Sequence, residues 1–93
     1  MTGKTPHSTP TKPPPGTVVV YLTAWCPYCH RLRQGLDAAG VPYAAVDVEQ
    51  DEAAGRYVEG VNGGNRVVPT VLFPDGSTLT NPPAEAVQAK LGR

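Results

Sequence analysis

Cys26-Pro27-Tyr28-Cys29 brings together the two cysteines of a 93-residue chain at a spacing that suits sulfur chemistry. If Cys26 is the N-cap of a helix and Pro27 its first residue, the N–H that proline lacks is one the helix would leave unpaired anyway. Three residues of helical rise, about 4.5 Å, then bring Cys29 to the same side as Cys26, within the span of about 4.4–6.8 Å that a disulfide bridges. Cys26 faces the unpaired N–H groups and positive end of the helix, which favour its thiolate, whereas Cys29 lies further inside. Two unequal thiols of this kind form a disulfide exchanger. A stabilised thiolate is above all a good leaving group, so the site can take up a partner sulfur and let it go again.

Three other accounts of the cysteines compete. A zinc site needs four ligands, and beyond the cysteines the chain supplies only His30, His7 and carboxylates, with no second CxxC and no HxxxH pair. Cys29-His30 completes a literal CxxCH, the haem attachment pattern. That use requires export, the N-terminus has no apolar signal core, and the second axial ligand would have to be Met1 or His7. Two buried and inert thiols are the third account. Exchange is favoured over all three, with no metal and no haem expected.

The elements that must position these cysteines can be read from periodicity. Thr17 to Thr23 is a short apolar run with three valines, suited to a strand buried on both faces. Cys29, Leu32, Leu36 and Ala39 then fall on one helical stripe, ended by Gly40-Val41-Pro42. Tyr43 to Val48 reads as a second strand, parallel to the first because a helix intervenes. Acidic Glu49, Asp51 and Glu52 precede a second helical pattern through Val61, closed by Gly63-Gly64-Asn65. In Val67-Val68-Pro69-Thr70-Val71-Leu72-Phe73 the proline cannot donate to a ladder, so the third strand starts at or after Pro69. Pro74-Asp75-Gly76 turns the chain into a short antiparallel strand over Ser77 to Leu79, and Asn81-Pro82-Pro83 can cap and open a last helix carrying Val87 and Leu91. The predicted order is βαβαββα, an α/β fold.

Residues 1–16 hold five of the eleven prolines and no large apolar residue after Met1, which predicts a disordered Pro-rich arm ahead of one domain over 17–93. Eight basic residues balance eight acidic ones, so the excess of positive charge expected of a nucleic-acid binder is absent. Lys4 and Lys12 sit in the arm and leave the body slightly acidic. No stretch approaches the 18 apolar residues of a membrane span. A cytoplasmic monomer is expected, with no nucleic-acid and no membrane partner.

Trp25-Cys26-Pro27-Tyr28-Cys29 at the end of the first strand, with Arg66-Val67-Val68-Pro69 before the third, resembles the glutaredoxins on the thioredoxin fold. The likeness spans essentially all of 17–93 and implies a four-stranded mixed sheet flanked by three helices. It also implies a cis Val68-Pro69 peptide and a Val68 backbone that pairs with the cysteinyl part of a bound thiol; the residues alone leave Pro69 equally able to be trans. Tyr28 either lines the thiol groove or packs, and Arg66 either meets an anion or substrate surface or is a solvated loop residue. Trp25 is expected to shield the cysteines, and His30 to point outward.

The departures from the glutathione-using pattern are informative. Thr23 stands where such members commonly carry Lys or Arg, and Leu79-Thr80-Asn81-Pro82-Pro83-Ala84 replaces a Gly-Gly followed by an acid. Val61-Asn62-Gly63-Gly64-Asn65-Arg66 and Asp75-Gly76-Ser77-Thr78-Leu79-Thr80-Asn81-Pro82 are similar to actinobacterial mycoredoxins. That resemblance implies mycothiol, a cysteinyl sugar conjugate, as reducing co-substrate, and mixed disulfides of mycothiol with proteins or small thiols as substrates. The alternative is an electron carrier that reduces protein disulfides and is recharged by glutathione or by a flavoenzyme of the thioredoxin-reductase type.

Overall fold

A computed structural model describes residues 11–92 and contains β1 (Val18–Leu22), α1 (Pro27–Ala39), β2 (Tyr43–Asp47), α2 (Glu52–Val61), β3 (Thr70–Leu72), β4 (Thr78–Thr80) and α3 (Ala84–Lys90). The order is the βαβαββα expected. The four strands form one sheet in the sequence β2-β1-β3-β4. β1 runs parallel to β2 with Val20 opposite Ala45, and antiparallel to β3 with Val20 opposite Val71; β3 and β4 are antiparallel.

The unbroken apolar run of β1 is split by the pleat, since alternate side chains leave a strand on opposite faces. Val18, Val20 and Leu22 join Cys26, Cys29, Leu32, Leu36, Phe73 and Val87 in one core, which α1 and α3 cover. Tyr21 and Leu72 face the other way, onto Val48 and Val58, under α2. Leu36 and Phe73 are at most 1% exposed, and burying a side chain of this size contributes about 1.5–3 kcal/mol.

Helix ends follow the local chemistry. Gly40, at φ 70°, takes the left-handed conformation that glycine adopts without a Cβ clash, and Val41 N–H returns to the Leu36 carbonyl at 2.9 Å to close α1. Asp51 caps α2 by accepting from Ala54 N–H at 3.0 Å. The last helix departs from expectation at its start. Pro83 is its N-cap, with no side-chain cap bond, while Asn81 adopts φ 51° and donates its N–H to the Pro69 carbonyl at 2.7 Å. Asn81 therefore ties the end of β4 to the loop before β3 instead of capping α3.

Residues 1–10 of the expected arm lie outside the described residues. Pro13 is buried, and the Lys12 side chain reaches Gly76, where a Cβ would stand 3.1 Å from Lys12 Cε, so this part of the segment rests on the domain.

The α1/α3 contact is close enough to be tested. A Cβ at Gly35 would stand 2.6 Å from Ala84 Cβ, whereas one at Gly60 of α2 would meet nothing within 4 Å. Gly60→Ala is expected to stabilise the protein by about 0.5–1 kcal/mol through helix propensity. Gly35→Ala makes the same propensity gain but must push α3 outward, and overpacking of this kind costs about 1–3 kcal/mol. Urea unfolding should show the first variant above and the second below the parent. Equal effects would mean that α3 yields freely.

Candidate active site at the start of the first helix

Cys26 is the N-cap of α1, with φ −82° and ψ 118°, and Pro27 is the first helical residue. The Cys26 Sγ accepts the N–H of Cys29 at 3.4 Å, which is the cap bond that serine or aspartate makes elsewhere. The same bond aims a helix-end donor at the sulfur, where it can hold negative charge as the thiolate forms or departs. Both cysteines carry free thiols and are buried, at 4% and 1% exposure.

The two thiols differ in burial, Cys29 lying the deeper. Burial pushes the Cys29 thiol up to about 12 from an ordinary 9.0, and the neighbouring Cys26 adds to the rise. The Thr23 backbone and the Arg33 charge work in the opposite direction and lose to burial. Cys29 therefore stays protonated at neutral pH.

Val68 and Pro69 lie in the loop that leads into β3. Their peptide bond is cis, and Pro69 is buried. Val68 packs against the core cluster that holds both cysteines. Among the described residues neither the N–H nor the C=O of Val68 has a hydrogen-bond partner, which leaves a donor and an acceptor free for an extended ligand. On the far side Thr70 Oγ1 donates to the Val67 carbonyl at 2.8 Å, and Asn62 Nδ2 donates to Thr70 Oγ1 at 3.1 Å, fixing this loop to the end of α2.

Tyr28 projects from the first turn of α1, 57% exposed, with the Arg31 guanidinium 6.0 Å from its ring centre. Arg66 lies elsewhere. Its guanidinium sits over Gly55 of α2, donates to Glu59 at 2.9 Å and has Glu52 at 3.9 Å. Its charge is thus spent on α2, two residues ahead of Val68, and the structure gives it the work of holding that loop.

Trp25 does not cover the cysteines. The ring is 67% exposed, and its Nε1–H donates to both oxygens of Glu49 at 3.1 Å, which ties the turn before Cys26 to the segment after β2. Exposed His30 folds back, and its Nε2–H donates to the Ala24 carbonyl at 2.7 Å. Among the described residues no group of three or more His, Cys, Asp or Glu could hold a metal, and no helix is long and apolar enough to cross a membrane. Glu49 reads in the sequence only as one of the acids ahead of α2, and Arg31 only as a charge on the outer face of α1, yet they meet Trp25 and Tyr28. One charged residue in a loop and one on an exposed helix face carry no signal of these contacts. Thr23 is 5% exposed, and its Oγ1 has no partner among the described residues.

The sequence pattern that defines the glutaredoxins matches residues 18–77. Over 74 residues, 80% of this chain, the sequence is 55% identical to a protein of Mycobacterium tuberculosis strain H37Rv that bears a glutaredoxin name, covering 88% of that protein. It is 54% identical over 74 residues to Mycoredoxin 1 of Corynebacterium glutamicum, covering 91% of it. The fold superimposes on the glutaredoxin of Archaeoglobus fulgidus with a TM-score of 0.66 at 23% identity, over 82% of this chain and 85% of the other.

Proposed function

We propose that this chain, which belongs to the glutaredoxin family and is a thiol-disulfide oxidoreductase, reduces mixed disulfides between mycothiol and proteins or small thiols. The observation that carries the reading is the likeness to Mycoredoxin 1 along nearly the whole of that protein. Two features of the chain support it. Thr23 offers no cation for a glutathione carboxylate, and the Leu79–Ala84 segment carries no acidic residue for a glutathione amine. A cysteinyl sugar conjugate asks for neither.

Cys26 is the nucleophile in this reading. Its thiolate attacks the mycothiol sulfur, the S–S bond breaks, and the client sulfur leaves with the electron pair. The Cys29 N–H on Cys26 Sγ stabilises the charge at that sulfur before attack and again at release. Val68 pairs its free N–H and C=O with the cysteinyl part, and Pro69 holds that edge. A second mycothiol thiolate then attacks the bound mycothiol sulfur, which yields mycothiol disulfide and returns the Cys26 thiolate. Tyr28 lines the groove, and Arg66 acts at one remove by holding the loop. The protein works as a monomer in a reducing cytoplasm, where low-molecular-weight thiols supply the electrons.

The test compares mycothiol and glutathione mixed disulfides of one client, each with its own thiol and reductase. Turnover with mycothiol at least about tenfold faster is expected, a difference of about 1.4 kcal/mol in transition-state binding. Equal turnover, or faster turnover with glutathione, would remove mycothiol from the assignment. Reduction of the oxidised protein by a thioredoxin-reductase-type flavoenzyme alone would install the electron-carrier reading instead.

A further inference from the structure

Val68 offers its free N–H and C=O from a stretch of chain, residues 62–69, that belongs to no helix or strand. What aims the donor is a relay of side chains behind it. The Val67–Val68 peptide is trans, so the Val67 carbonyl and the Val68 N–H leave it in opposite directions. Whatever grips that carbonyl therefore decides where the N–H points. Thr70 Oγ1 donates its proton to the Val67 carbonyl at 2.8 Å, and itself accepts from Asn62 Nδ2 at 3.1 Å.

We infer that Asn62 and Thr70 are positioning residues of the exchange reaction. The Asn62 amide fixes the direction of the Thr70 hydroxyl, and that hydroxyl aims and polarises the Val68 N–H toward the carbonyl of a bound cysteinyl group. This role rests on the pairing of Val68 proposed above, and it holds for any thiol built on a cysteinyl amide. The direction of the relay is forced. A hydroxyl has one proton to give. The two hydrogens of Asn62 Nδ2 go to Thr70 Oγ1 and to the Val58 carbonyl at 2.9 Å, while its Oδ1 accepts from Thr80 Oγ1 at 2.6 Å. Turning the amide over would set Oδ1 against the Val58 carbonyl, acceptor against acceptor. With Nδ2 donating to Thr70, the hydroxyl proton is left for Val67. A hydrogen bond drawn on that carbonyl makes the N–H of the same peptide a better donor.

The relay is anchored at both ends. Asn62 is the C-cap of α2, with its own N–H on the Val58 carbonyl at 3.1 Å. Thr70 and Thr80 are partners in the β3–β4 ladder, so one amide holds both members of a cross-strand pair. Thr70 is 0% exposed, which removes solvent as a substitute donor to its hydroxyl. Asn62→Asp keeps the size of the side chain and deletes both hydrogens. The Thr70 proton then turns to the carboxylate, the stronger acceptor, and the Val67 carbonyl loses its tie. Among the described residues neither Asn62 nor Thr70 shares a hydrogen bond with Cys26 or Cys29, so the change reaches the reaction through Val68.

The test uses full-length Cys29→Ser protein, so that an adduct on Cys26 persists, and reads the rate of loading from two disulfides. One is the disulfide of N-acetylcysteine amide, which has the carbonyl and N–H that pair with Val68. The other is hydroxyethyl disulfide, which has the sulfurs alone. With each rate taken relative to that of a free thiol in solution, the parent is expected to favour the first. Asn62→Asp and Thr70→Val are expected to lower that preference about tenfold, the worth of a hydrogen bond, and Thr70→Ser to keep it within about twofold. Alkylation of Cys26 by iodoacetamide should run at the parent rate in all three, since the cap bond from the Cys29 N–H lies outside the relay. A preference that survives in Asn62→Asp and Thr70→Val would overturn the role and leave the Val68 pairing intact. Equal losses in Thr70→Ser and Thr70→Val would mark a packing effect and overturn it too. A parent without preference would remove the pairing, and the role with it.

Discussion

Cys26→Ser is expected to lose turnover of mixed disulfides by about 1,000-fold or more, and Cys29→Ser to keep it within about threefold. The asymmetry follows from what each sulfur does. A serine hydroxyl at 26 can still accept the Cys29 N–H and cap α1, so the fold survives, but it is hardly ionised near neutrality and cannot form the bond that carries the substrate. At position 29 the sulfur is 1% exposed and protonated, and the first exchange and the release by a second thiol both bypass it. The Cys29 contribution that does matter, its backbone N–H on Cys26 Sγ, is untouched by a side-chain change. Steady-state assay of both variants, with circular dichroism to verify folding, decides the matter. Loss of activity in Cys29→Ser equal to that in Cys26→Ser would place Cys29 inside the obligatory path and make the protein a dithiol carrier.

The part of this site legible in the sequence is local. A proline after Cys26 and an apolar stripe from Cys29 onward force the first cysteine to a helix start, because N-cap and N1 preferences act within a few residues. The directions of two strand pairs were legible too, since a helix between two apolar runs leaves them parallel and Pro74-Asp75-Gly76 between two short ones leaves them antiparallel. Contacts across chain distance were not. Arg66 reads as a cation beside a glycine loop and is instead seated on Gly55 and Glu59, because only the fold reveals that α2 turns a bare backbone patch and a carboxylate toward it. Trp25 reads as apolar cover, yet its indole N–H has a carboxylate 24 residues on, and this holds the ring outward. Asn81 has the composition of a cap and acts as a strap to Pro69, because a residue that tolerates a left-handed backbone serves either purpose.

Closure of the Cys26–Cys29 disulfide is expected to accelerate about 1,000-fold between pH 7 and pH 10. Cys29 must lose its proton to attack the sulfur on Cys26, and burial holds that thiol up to about 12. The two contributions from Cys26 vanish once Cys26 is bonded to a partner, but burial, the largest cause, remains. Below such a value the thiolate fraction rises tenfold per pH unit, and so does the rate. At pH 7 a shift from 9.0 to about 12 leaves about 1,000-fold less thiolate, while a Brønsted slope near 0.45 returns only about 20-fold in nucleophilicity. Closure is therefore about 50-fold slower than with an ordinary thiol in the same place. A thionitrobenzoate adduct on Cys26 reports this directly, since closure expels a coloured thiolate whose appearance can be followed across the pH range. A logarithmic rate with slope near one through pH 10 is the expected result. A plateau near pH 9 would show that Cys29 titrates as an exposed thiol does and that burial does not govern it. With closure slowed, a mycothiol thiolate from solution has time to reach the loaded Cys26 first. The buried partner then acts as a slow second exit, taken when the small thiol is scarce.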